Sequence, residues 1–165
     1  MNISFDLNTD KGDHLRVALS VFAKNILPDS VIEHINQINI YDVVLERISG
    51  INPISISSLT KIANFLFNFL SENPNAILYF FCDDKNNIEF NKNNKPHLLP
   101  QEYRSKIFSI LFERICKKES ISNFTNMPIH IETPETTFII HLIYPDSHEE
   151  IASVLINELK SLAEK

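Results

Sequence analysis

The sequence predicts an α+β domain: a mostly antiparallel six-stranded sheet with three main helices, in the order β-β-β-α-β-α-β-β-α. Three observations carry this. Segments that alternate apolar and polar residues gather near the two ends of the chain, and segments with a 3.6-residue period lie between and after them. One run, Ile77-Leu78-Tyr79-Phe80-Phe81-Cys82, is apolar at every position, as expected of a strand covered on both faces. No repeat, linker or shift of composition divides the 165 residues, so 1–165 reads as a single domain.

Each element has its own local reason. Ile3, Phe5 and Leu7 alternate with Ser4, Asp6 and Asn8. Asp10-Lys11-Gly12-Asp13 turns the chain, and Leu15, Val17, Leu19, Val21 and Ala23 alternate beyond it, giving a hairpin. Pro28-Asp29-Ser30 opens a short helical turn. Residues 40–48 form a third strand closed by Gly50. Asn52-Pro53 supplies an N-cap and a first-turn proline, with Leu59, Ile62, Ala63, Leu66 and Leu70 as the buried stripe of the helix that follows. Asn73-Pro74 stops it. Residues 83–100 lack periodicity and read as a loop. In the helix 101–118, Glu102, Ser105, Ser109, Glu113 and Lys117 form the expected wet side. Residues 129–132 and 138–144 make a hairpin around Pro134-Glu135, pairing 132 with 137 and 130 with 139. Ser147-His148-Glu149-Glu150 is a capping box, and Ile151, Val154, Leu155, Leu159 and Leu162 are the stripe of the last helix.

Composition narrows the function. Net charge is −6, a poor match for a phosphate backbone, so no nucleic-acid partner is expected. The C-terminal part is the acidic end, with Glu132, Glu135, Asp146, Glu149, Glu150, Glu158 and Glu164 against Lys160 and Lys165. Only two glycines leave no glycine-rich phosphate loop. The N-terminus lacks the pattern of a secretion signal, and the longest apolar run is too short to span a bilayer, so a cytoplasmic chain without a membrane partner is expected. Cys82 and Cys116 read as buried free thiols without metal-site spacing.

Residues 52–112 carry a pattern: a helix opening on Pro53, then Glu72-Asn73-Pro74-Asn75-Ala76-Ile77-Leu78-Tyr79-Phe80-Phe81-Cys82-Asp83, then Tyr103-Arg104-Ser105-Lys106-Ile107-Phe108 with Phe112 four residues on. With the strand 140–145 and its following helix, this resembles a family of small uncharacterised proteins of Bacteroidetes. The resemblance implies the fold and brings no activity with it.

Two constellations hold chemistry. Asp83 and Asp84 follow the central strand at its carboxyl end, where open sheets place ligands, and Arg104 lies in line with Phe108, Leu111 and Ile115 on the apolar side of its helix. An arginine there needs an anion. A salt bridge to Asp83 or Asp84 is the bland reading; a hydrolase site for a carboxylate or phosphate is the sharp one. His130, Glu132 and His141 share a hairpin face and form a weak metal face, diagonal rather than convergent, so a solvated or partner-facing surface is expected, with no metal and no cofactor. Cys82, embedded in apolar residues, is no nucleophile. The leading expectation is a non-enzymatic protein-binding module that self-associates as a homodimer. Its motive is that Phe22, Val44, Ile139 and Ile143 lie opposite the main core, on a face three helices leave open. A third reading is an acidic, immunity- or antitoxin-like neutraliser of a basic protein.

Overall fold

Six strands and four α-helices, in a computed structural model that describes residues 3–82, 98–120 and 122–163, realise this order, the short helical turn after Pro28 being the fourth helix. They are β1 (Ile3–Asn8), β2 (His14–Val21), α1 (Asp29–His34), β3 (Asn39–Ser49), α2 (Ile56–Glu72), β4 (Ala76–Cys82), α3 (Pro100–Lys118), β5 (Phe124–Glu132), β6 (Thr137–Pro145) and α4 (Glu149–Ala163). The six strands form one sheet in the order β1-β2-β3-β4-β6-β5. It is mixed. β3 and β4 run parallel and every other pair is antiparallel. The reason is the connection: α2 carries the chain back across the sheet between β3 and β4, which a hairpin cannot do.

The period-two pattern decides which side chains share a face. Val17↔Leu45, Leu19↔Val43 and Leu78↔Ile143 point one way, and α2 and α3 cover them. Ile40, Ile77 and Leu142 point the other way, toward α1 and α4. The aromatic-rich, tryptophan-free composition finds its use here. Phe5 stacks on Phe65 at 5.0 Å, Tyr41 meets Phe69 edge-on at 5.0 Å, and Phe67 meets Phe124 at 5.4 Å, each clamping α2 to another element.

The open apolar face expected from Phe22, Val44, Ile139 and Ile143 takes a different form. Ile139 and Ile143 are buried on the α3 side, and Phe22 packs into the second core. Only Val44 is exposed. The part of the second face that no described helix covers, over β1 to β3, is mostly polar: Ser4↔Ala18↔Val44, Asp6↔Arg16↔Glu46 and Ser20↔Asp42. Alternation could not reveal this, because the same residue type serves either face once helices flank both.

Element ends differ for reasons of contact. α2 begins at Ile56 with Ser55 as its cap, its Oγ accepting from Ser58 N at 3.2 Å, not at Asn52. Asn52 is engaged elsewhere. β5 starts five residues before the expected 129 and contains Pro128, which its place at the sheet edge tolerates. The loop 83–100 lies outside the described residues except for its last three positions, as does the side chain of Leu162.

Candidate functional site

α3 lies over β6 and β5, and its Gln101, Ser105 and Ser109 recur at intervals of four, one above another on the helix face. That stripe faces the sheet. Ser105 is buried and Ser109 half-buried, so neither belongs to the wet side; Glu102, Glu113 and Lys117 do. The stripe meets His141, whose exposure is 0%. Asn126 Oδ1 sits 2.8 Å from His141 Nδ1, and Ser105 Oγ sits 2.8 Å from Nε2. With the amide oxygen facing the ring, Nδ1–H donates to Asn126, and Nε2 accepts from the Ser105 hydroxyl. Asn126 Nδ2 passes the chain on to Ser109 Oγ at 3.3 Å. Phe80 and Phe108, stacked at 5.1 Å, close over the imidazole, with the Phe108 ring edge-on to it at 5.1 Å.

Burial pushes the His141 pKa down to about 4, and the nearby His130 pushes the same way. The ring is therefore neutral at neutral pH, as a buried base with two satisfied nitrogens should be. The order serine–histidine–asparagine has the polarity of a proton relay. Here the hydroxyl is buried beneath its own helix and the ring is walled by two phenylalanines, so the chemistry delivered is cohesion: a neutral, directional lock of α3 onto the β5–β6 hairpin. Gln101 extends it, Nε2 donating to Thr137 O at 3.0 Å, while its buried Oε1 has no partner among the described residues.

The predicted hairpin register is found, with Glu132↔Thr137 and His130↔Ile139. His130, Glu132 and His141 do share a face. They do not share an environment: His130 and Glu132 are exposed, and both His141 nitrogens are committed. No three ligating residues converge among the described residues. Of the Asp83, Asp84 and Arg104 cluster, only Arg104 is placed, because the two aspartates lie outside the described residues. Arg104 is buried on the apolar side of α3, as its period implies. It borders a cavity of about 40 Å³ between α2, α3 and the sheet, whose other walls include Val43, Ala63, Phe80 and Leu111. Cys82 is buried and Cys116 half-buried, and burial pushes the Cys116 thiol up, away from the reactive thiolate.

A second polar cluster was invisible in the sequence. Asp13, 2% exposed, lies in the β1–β2 turn and accepts through Oδ1 from Asn52 N and Asn52 Nδ2, each at 3.3 Å. Arg47 Nη1 approaches the same oxygen at 3.6 Å, and Arg47 Nη2 donates to Asn52 O at 2.9 Å. Gly50 passes directly over the Asp13 carboxylate with φ +94°, leaving no room for a Cβ. The only sequence signal was that Gly50 is one of just two glycines. The frame presents Ile51 to solvent at 91% exposure, with Ile48 and Ile56 also exposed to either side.

No helix among the described residues is long and apolar enough to cross a membrane. Searches of family models, curated proteins and solved structures found no match to the chain.

Proposed function

We propose that the chain is a non-enzymatic protein-binding module, and that the loop from Gly50 to Ile56 is its contact surface. One observation carries this reading: a nearly fully exposed isoleucine, Ile51, stands on a backbone pinned from below by Asp13, Arg47 and Asn52. Single exposed apolar residues are ordinary. Three exposed isoleucines within nine positions on a fixed frame are a different matter. Ile51 would gain about 1.5–3 kcal/mol on full burial in a partner, the half-exposed Ile48 and Ile56 less, and a loop already ordered loses little further entropy on binding.

Site-directed photo-crosslinking in the producing cell tests this. A photoreactive residue at position 51 should give a discrete adduct with one protein, absent when the probe replaces Lys61, an exposed residue of α2. Adding Ile56→Asp should abolish the adduct while changing stability by less than about 0.5 kcal/mol, as for other exposed positions. Equal labelling from positions 51 and 61 would sink the reading.

A further inference from the structure

The two edges of the sheet are not alike. β5, at one edge, carries an exposed proline, Pro128, in mid-strand, and a proline cannot donate to an added ladder. β1, at the other, has no proline, no lysine and no bulge in its pairing with β2. Proline, lysine and a bulge are common guards against strand addition, and β1 lacks all three; its one charge, Asp6, is held by Arg16 of the neighbouring strand. Along this unguarded edge Ile3 and Phe5 are only half-buried, on the side covered by α2, and Phe5 stacks on the equally half-buried Phe65. Among the described residues no strand pairs with the outer side of β1, so an apolar rim and an open ladder coincide there.

We infer that a second copy of this chain adds its β1 antiparallel to β1 about a two-fold axis beside Phe5, joining two six-stranded sheets into one. A two-fold perpendicular to the sheet keeps each face on its own side, so residues placed opposite each other must point the same way. Only registers in which the opposed residue numbers have an even sum meet this. A sum of 12 sets Asp6 against Asp6 of the second copy. Arg16, whose Nε donates to Asp6 at 2.9 Å, holds that carboxyl below its usual range, so like charges would face each other. A sum of 8 pairs only residues 3–5 of the described strand. A sum of 10 pairs residues 3–7: Phe5 meets Phe5, Ile3 meets Leu7, and Ser4 meets Asp6, a hydroxyl donor opposite a carboxylate. It also brings the two Phe5–Phe65 stacks together across the axis. Charge thus selects the register that the apolar side chains also favour.

The pairing uses a surface apart from the Ile51 loop, so it stands or falls separately from the module reading. Sedimentation of the full chain at micromolar concentration should give a particle of twice 19.0 kDa; a clean single-chain particle overturns the pairing. Cysteine pairs then read the register against the unmodified protein as a control for Cys82 and Cys116. Ser4→Cys mixed with Asp6→Cys should cross-link at least roughly tenfold faster than Ser4→Cys alone or Ser4→Cys mixed with Asn8→Cys, because only directly opposed strand positions fall within disulfide reach. Preferential cross-linking of Ser4→Cys alone would indicate the sum of 8, and of the Asn8→Cys mixture the sum of 12. Either overturns the inference.

Discussion

Two buried polar clusters among the described residues each pin a different part of the fold, and they work by different physics. The lock under α3 is neutral: imidazole, amide and hydroxyls, linked by directed hydrogen bonds within an aromatic cage. The lock under the Ile51 loop is charged: a carboxylate and a guanidinium 3.6 Å apart, with the backbone and amide groups of Asn52 bonded to both. A neutral network is sensitive to whatever would add a charge to it. A charged pair is sensitive to losing one member or to a change in the space around it. Rigidity at the sheet end and adhesion of the helix to the sheet are thus separable, and each should fail under its own perturbation.

The largest effect should come from the smallest added group. Gly50→Ala places a methyl on the Asp13 carboxylate at a left-handed φ, so both space and backbone conformation oppose it. Urea unfolding should show a loss of about 4 kcal/mol, the range reserved for strain and broken buried networks. Asp13→Ala should follow at about 3 kcal/mol, because it strands the largely buried Arg47 charge. A value near zero for Asp13→Ala would mean that water replaces the carboxylate and that the frame is soft.

Acid should act on the other cluster. The His141 pKa is about 6.5 in the unfolded chain and falls to about 4 on folding, so between these values the unfolded state binds the extra proton. The corresponding stability is complete above pH 6.5 and is lost as pH falls toward 4, amounting to about 3 kcal/mol. His141→Gln, which cannot titrate there, should flatten that part of the stability curve relative to the parent protein. Parallel curves for the two proteins would show that the imidazole is not desolvated. The smallest effect should be Ser105→Ala: it removes one donor and leaves Nε2 unsatisfied, for about 1.5 kcal/mol. It should also lower the acid sensitivity less than His141→Gln does, since the ring remains buried.

Much of this architecture was legible because it depends on local rules. Alternation through residues 3–7 and 15–21 places β1 and β2. The all-apolar run 77–82 identifies the strand between two helical layers, and β4 is indeed internal, with Ile77 and Leu78 fully buried. The tight Pro134-Glu135 turn sets the β5–β6 register, since a hairpin with a short loop leaves little freedom in pairing. Arg104 falls on the apolar side of α3 by simple period.

What the sequence determined by itself was period and punctuation: which residues alternate, which recur every three to four, and where proline and glycine interrupt. Depth was decided only by tertiary packing. Ser105 and Ser109 read as water-facing because polar residues on a helix usually are, yet α3 turns them onto His141, and an uncharged Gln-Ser-Ser stripe was the sole hint. His141 reads like His130 in sequence, and only the placement of α3 makes one dry and leaves the other wet. Asn52 reads as a helix cap until Asp13, 39 residues earlier, claims its donors. A hydrogen bond between segments distant in sequence leaves no periodic trace in either, so the residues that matter most for the two locks became visible only when the sheet brought them together.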